Sequence, residues 1–312
     1  MTSGHGSAGA DPGHAPGGGA AANVRALRIA LALIVGFMAV EVVIAFTAPS
    51  LALLADAGHM LTDAAALGAA LWAISLSARP VTATWSYGLK RAEILAAAVN
   101  GVSLVVMAGL VTVEAVRRLT RPGEVVGVAV LTVAILGIVV NVVAVLVLSR
   151  ANRSSLNVEG AFRHIATDAA GFVATAVAAV VILATGFLRA DAVASLVVVG
   201  LMLHAGWGLL KSAGRVLLEG TPEGVDLAAI RAQILAADTH VIDVHDLHAW
   251  VVTSDLPAVS AHVVVDDSCF SDGHAARILD AVQAGLHSGF DLEHSTLQLE
   301  VATHSAHETG AH

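Results

Sequence analysis

Residues 51–77 read LALLADAGHMLTDAAALGAALWAISLS, an apolar segment that contains the ionisable residues Asp56, His59 and Asp63. The segment is long enough to cross a bilayer, because about 20 apolar residues span the hydrocarbon core. An ionisable group at the centre of a membrane helix costs roughly 2.5–3.5 kcal/mol, so such groups indicate a functional site by default. The segment therefore predicts a membrane helix that carries a polar site.

A second apolar segment repeats the spacing of these side chains. His59 and Asp63 are four residues apart, as are His164 and Asp168, so each pair shares one face of a helix. Two imidazoles and two carboxylates are the ligand number and chemistry of a tetrahedral zinc site. Asp56, one turn before His59, is assigned a supporting role because zinc takes four ligands. The alternative for the two pairs is polar packing between helices.

The composition indicates a membrane protein with an acidic soluble part. The chain has 312 residues, of which 56% are hydrophobic and 13% charged, against roughly 25% charged in a typical soluble domain. Residues 1–215 carry a net charge of +4 and residues 216–312 a net charge of −13. The acidic part is not expected to bind nucleic acid through phosphate contacts. The single cysteine, Cys269, excludes an intramolecular disulfide and a thiolate zinc finger.

Six segments are predicted to span the membrane, so both termini lie on one side. Lys and Arg residues number ten on the side of the termini and four on the other, which favours cytoplasmic termini in a multi-pass protein of the cell membrane. The predicted spans are 25–48, 51–77, 92–116, 125–148, 160–186 and 191–213.

Four regions are predicted along the chain. A disordered Gly/Ala/His tail (1–23) precedes a six-helix transmembrane domain (24–213), a cytoplasmic domain (214–303) and a His-containing tail (304–312). The cytoplasmic domain shows the order helix, strand, strand, helix, strand, which is typical of a small α+β sandwich. Its predicted elements are helices over 227–237 and 274–287 and strands over 241–253, 258–266 and 295–303.

Five stretches of the chain resemble signature motifs of the cation diffusion facilitator family, in the same order. They are SLALLADAGHMLTD (50–63), YGLKRAEILAAAVNG (87–101), LNVEGAFRHIATD (156–168), ADAVAS (190–195) and VHDLHAW (244–250). The similarity covers residues 25–303. The loop 149–156 contains no histidine, unlike that of many vesicular eukaryotic members. This difference favours a bacterial protein of the inner membrane.

The resemblance implies an all-α domain of six transmembrane helices followed by a ferredoxin-like αββαβ domain, in a homodimer surrounded by lipid. It implies a non-enzymatic Zn²⁺/H⁺ antiporter that exports zinc by alternating access, with H⁺ as the counter-ion. His59, Asp63, His164 and Asp168 fall on the four ligand positions of the family. Export of a broader divalent set, with Co²⁺ and Cd²⁺, stays open because site affinity separates these metals poorly.

The resemblance also assigns residues of the cytoplasmic domain. His245, His262 and Glu300 match cytoplasmic zinc ligands, whereas Gln298 lies near a position that is histidine in some members. His248 is three residues from His245 in a predicted strand. The pair is therefore expected on opposite faces, without a shared ion. Arg91 and Glu219 match positions that form a charge contact between the membrane and cytoplasmic parts in relatives.

Two other classes of function are weighed against transport. A membrane-anchored zinc sensor would use the acidic domain, but it would not need His/Asp pairs in two membrane spans. An intramembrane zinc hydrolase needs an open coordination position, and the chain lacks a His-Glu-x-x-His motif. Asn100 and Asn141, polar residues inside apolar spans, are interpreted as hydrogen-bonding groups between helices.

Overall fold

The structure is a computed structural model that describes the backbone of residues 17–47, 51–121, 127–153, 155–254, 256–271, 273–292, 294–305 and 307. Within these ranges, the side chains of residues 17–20, 44–47, 51–59, 62 and 127–130 are not described. The side chains of Asp56 and His59 are among those that are not described, so only their backbone is considered below.

Six long helices form the N-terminal part. Among the described residues, α1 and α3 to α6 are long and apolar enough to cross a membrane, and α2 contributes a shorter described apolar stretch, Asp63–Ser77. The sequence prediction of a helical membrane part is confirmed. The helices are α1 (Gly17–Thr47), α2 (Leu51–Ser77), α3 (Ala92–Thr120), α4 (Gly127–Ser149), α5 (Leu156–Thr185) and α6 (Ala190–Leu217).

The six helices pack around two apolar clusters, and α5 contacts helices of both. Helices α1, α2, α4 and α5 share one apolar core, which includes Leu27, Leu67, Leu148 and Ile165. Helices α3 and α6 pack closely on each other and also contact α5, and a Cβ atom at Gly206 would lie 3.1 Å from the carbonyl oxygen of Gly101. Such close backbone approach is typical of membrane helices with small residues at their interface. Three predicted metal ligands, Asp63 of α2 and His164 and Asp168 of α5, therefore lie on helices that share the first apolar cluster.

The C-terminal part is a three-stranded sheet covered by helices. Strand β1 (Val241–Thr253) pairs antiparallel with β2 (Leu256–Val265), and β2 pairs parallel with β3 (His294–Val301). Helices α7 (Leu227–Ala236) and α9 (His274–Phe290) pack on one face through a core that includes Ile230, Ile278 and Leu286. The short helices α8 (Ser268–Ser271) and α10 (Ala302–Ser305) complete it. The predicted αββαβ order is confirmed.

Several element ends differ from the prediction. Helix α1 begins at Gly17, so residues 17–23 are helical rather than part of the predicted tail, and Asn23 accepts a 2.8 Å hydrogen bond from the Asn152 amide. Residues 1–16 of that tail lie outside the described residues, as do 306 and 308–312 of the C-terminal tail. Helix α5 begins at Leu156 instead of residue 160, because polar and charged residues continue a helix beyond its apolar stretch.

Candidate metal centres

The first cluster of metal-ligating groups lies between α2 and α5. One ligand atom each from Asp63, His164 and Asp168 lies within 4.8 Å of the others. Nε2 of His164 is 2.7 Å from Oδ1 of Asp63 and 3.6 Å from Oδ2 of Asp168. All three side chains are about nine-tenths buried or more. The arrangement offers one imidazole nitrogen and two carboxylates to a single cation.

The fourth predicted ligand comes from α2, one turn before Asp63. The helical backbone of α2 includes His59 and Asp56, but their side chains lie outside the described residues. The structure thus brings together three of the four predicted transmembrane ligands. The ligand roles of all four residues and the supporting role of Asp56 stay predictions.

Local contacts of α5 hold the cluster in place. His164 and Asp168 share a helical face through their spacing of four residues. Nδ2 of Asn157 donates a 2.8 Å hydrogen bond to the carbonyl of Ala70 on α2. Because α2 also carries Asp63, this bond fixes the two helices that supply the cluster.

Asn100 of α3 contacts the cluster from a third direction. Its Oδ1 lies 3.0 Å from Nδ1 of His164. A small cavity of about 10 Å³ is lined by Asp63, Asn100 and His164, among other residues, and this is roughly the space of one water molecule. Asn100 makes the predicted hydrogen bond between helices, but the spacing of residues in the sequence does not identify His164 as its partner. Asn141 instead donates to the Gly137 carbonyl of its own helix, at 3.0 Å.

The second cluster of metal-ligating groups lies on the sheet. His245, His262 and Glu300 come from β1, β2 and β3, and one ligand atom of each lies within 4.8 Å of the others. Oε1 of Glu300 is 2.6 Å from Nε2 of His245, and Oε2 is 3.4 Å from Nδ1 of His262. The Glu300 side chain is only 2% exposed, so a carboxylate is buried against two imidazoles. This donor set suits a resident zinc ion.

A bulge in β1 changes the face on which His248 lies. His245 pairs with His262, whereas His248, three residues later, pairs with Ser260, two residues away on β2. The extra residue falls around Asp246, whose φ is 46°. Cross-strand partners share a face, so His245 and His248 lie on the same face and the expectation of opposite faces is wrong. His248 and His262 line a cavity of about 370 Å³ on this face.

Several contacts between described residues join the membrane helices to the sheet domain. Nη2 of Arg91 lies 3.0 Å from Oε1 of Glu219, an ion pair between the start of α3 and the segment after α6. The Leu156 amide at the start of α5 donates a 3.0 Å hydrogen bond to Oγ of Ser254, at the end of β1. Val251 of β1 packs on the apolar cluster of α3 and α6. The helix that carries His164 and Asp168 is therefore bonded at its first residue to the segment that follows β1.

Two family models match most of the chain. Residues 27–218 match the cation efflux transmembrane domain, and residues 222–302 match the cytoplasmic domain of cation efflux proteins. The first match covers the six helices and the second covers the sheet with its helices.

Curated relatives align over almost the full chain. The metal cation efflux system protein CzcD of Cupriavidus metallidurans is 41% identical over 92% of this chain and 88% of its own. The zinc transporter ZitB of Escherichia coli is 38% identical over 89% of this chain and 88% of its own. The cadmium, cobalt and zinc/H(+)-K(+) antiporter of Bacillus subtilis is 37% identical over 91% of both. The chain therefore belongs to the cation diffusion facilitator, or cation efflux, family of membrane metal transporters, and it is not an enzyme.

Proposed function

We propose that the protein exports Zn²⁺ from the cytoplasm in exchange for H⁺. The observation that carries this proposal is the buried cluster of Asp63, His164 and Asp168, with its ligand atoms within 4.8 Å. His59 is the proposed fourth ligand, which completes a tetrahedral set of two imidazoles and two carboxylates. Two aspartates neutralise one divalent cation, so the loaded site carries little net charge inside the membrane.

The same side chains supply the coupling to protons. Zinc binds neutral imidazole and ionised carboxylate, so metal and protons compete for the same atoms. An empty site with two ionised aspartates so close together is unfavourable in a low dielectric, and protons relieve this cost. Alternating access then moves zinc out and protons in through one site.

Zinc is the preferred cargo, with cobalt and cadmium as further substrates. Imidazole and carboxylate ligands suit zinc, but raw affinity separates first-row metals poorly. Two of the relatives are named for zinc, and one of these is also named for cadmium and cobalt. The exchange for H⁺ agrees with the antiporter name of the Bacillus subtilis relative.

The proposed protein is a homodimer in the inner membrane, with both termini in the cytoplasm. The transport domain spans residues 24–213 and the cytoplasmic domain 214–303. Large apolar side chains such as Leu110, Val177 and Leu183 are more than half exposed on the membrane helices. This exposure fits contact with lipid or a second protomer. His245, His262 and Glu300 would hold a resident zinc ion that stabilises the cytoplasmic sheet.

Zinc flux into proteoliposomes tests this proposal, with cobalt and cadmium as competitors. Wild-type protein is expected to accumulate zinc inside the vesicles, whereas an Asp168→Ala variant is expected to lose flux. Zinc binding to the wild type without any flux would contradict export and favour the sensor alternative.

A further inference from the structure

The two ring nitrogens of His164 face different groups. Nε2 points to the carboxylates of Asp63 and Asp168, at 2.7 and 3.6 Å. Nδ1 lies 3.0 Å from Oδ1 of Asn100 on α3. The ring is therefore held between the proposed metal site on one side and a side-chain amide on the other.

The chemistry of the amide fixes where the imidazole carries its hydrogen. An amide oxygen only accepts, so Nδ1 of His164 donates to Asn100. In the neutral imidazole that a metal needs, the single N–H group is then on Nδ1, so the Nε2 lone pair is available to a cation held by the two aspartates. The 2.7 Å contact of Nε2 with Oδ1 of Asp63 is a hydrogen bond only while a proton lies between them, and a bound cation takes the place of that proton. In the other tautomer, Nε2 would present a hydrogen to Asp63 and could not bind a cation.

Packing around Asn100 allows this contact and protects it from water. A Cβ atom at position 160 of α5 would lie 3.4 Å from Nδ2 of Asn100 and 3.1 Å from Cδ2 of Leu209. Gly160 thus lets α5 approach α3 closely enough for the amide to reach His164. The His164 side chain is 7% exposed, so the ring is largely shielded from bulk water.

We propose that Asn100 is a positioning residue for zinc transport. It holds the hydrogen on Nδ1 of His164, presents Nε2 to the metal and thereby sets the zinc affinity of the transmembrane site. Partners of this kind orient histidine ligands in metal sites, and their loss typically weakens metal binding about 10- to 100-fold. The inference rests on the proposed function, in which His164 is a zinc ligand.

The test compares variants of the full chain in proteoliposomes by KM and maximal rate of zinc flux. Asn100→Leu keeps the size of the side chain and removes the acceptor, so KM is expected to rise about 10- to 100-fold. Asn100→Asp keeps an acceptor oxygen and is expected to restore KM to the wild-type range. Asn141→Leu is the matched control, since Asn141 is buried in α4 and bonds to its own helix. Its KM is expected to stay at the wild-type value.

A purely structural role would give a different pattern. It would lower the amount of folded protein and the maximal rate, leave KM unchanged, and not be rescued by Asn100→Asp. An unchanged KM in Asn100→Leu, or an Asn100→Asp variant as impaired as Asn100→Leu, would overturn the proposal. If Asn100→Leu does not fold, Asn100→Ala carries the same comparison.

The same assay separates this inference from the proposed function. Wild-type flux that is lost in Asp168→Ala, together with an unchanged KM in Asn100→Leu, overturns the positioning role alone. Absence of zinc flux in the wild type overturns both.

Discussion

Nε2 of His164 lies 2.7 Å from Oδ1 of Asp63, and this contact joins α5 to α2 inside the membrane part. Both side chains are more than nine-tenths buried. Removing one partner leaves the other buried in a low dielectric without its main contact. The resulting loss of folding free energy is larger than the net stabilisation that the intact pair contributes. The proposed transport site is thus also a contact between helices.

Asp63→Asn is expected to abolish zinc flux while keeping the shape of the side chain. The variant loses a ligand and half of the compensating charge, so the loss should exceed the roughly 10- to 100-fold typical of supporting groups. Flux in proteoliposomes measures it. Asp191→Asn is the matched control, because Asp191 pairs with Arg118 at 2.8 Å outside the cluster. Wild-type flux in Asp63→Asn would exclude this aspartate from the site.

His59→Asp is expected to change metal preference more than folding. A third carboxylate replaces an imidazole, and carboxylate favours harder cations such as Mn²⁺ over zinc. The ratio of zinc flux to manganese flux should therefore fall below that of the wild type. Competition between the two metals in one vesicle preparation measures this ratio, and an unchanged ratio would remove His59 from the ligand set.

His245→Ala is expected to destabilise the cytoplasmic part without stopping transport. Glu300 loses its 2.6 Å partner while staying buried, which typically costs about 1–3 kcal/mol. Thermal unfolding with and without chelator measures the loss. His248→Ala is the control, because His248 is exposed on the same face. Complete loss of flux in a folded His245→Ala protein would contradict the separate roles of the two clusters.

The ion pair of Arg91 and Glu219 is expected to contribute little stability. Its side chains are 38% and 62% exposed, and exposed pairs typically contribute about 0.2–1 kcal/mol. A double-mutant cycle with Arg91→Gln and Glu219→Gln, followed by denaturant unfolding, measures the coupling. Strictly additive effects of the two substitutions would show that the pair does not stabilise the junction.

Chelation is expected to loosen the proposed dimer through its cytoplasmic parts. Residues 216–312 carry a net charge of −13, so two copies repel each other unless bound cations offset this charge. Energy transfer between labelled protomers during dilution measures dissociation with zinc and with chelator. Equal dissociation under the two conditions would contradict a role for metal in the dimer.

The membrane helices and the spacing within the first cluster follow from the sequence. Apolar length predicts the helices, and a spacing of four places His164 and Asp168 on one face of α5. Apolar length and residue spacing both depend only on residues that are close together in the sequence. The side-chain contact between His164 and Asp63 was expected because two identical pairs occur in two otherwise apolar segments.

Features that depend on packing or register could not be predicted in this way. A strand prediction assumes strict alternation, so the bulge around Asp246, which moves His248 to the face of His245, leaves no periodic signal. Asn100 appears in the sequence as a polar residue in an apolar helix. Its partner on α5 depends on how α3 approaches Gly160.

Simultaneous measurement of zinc and proton movement tests the central claim most directly. Proteoliposomes with an imposed pH gradient and separate dyes for each ion would be compared for wild type and Asp168→Ala. Zinc and protons are expected to move in opposite directions in the wild type, with neither flux in the variant. Zinc flux without proton movement, or an Asp168→Ala variant that still couples the two, would contradict exchange through this site.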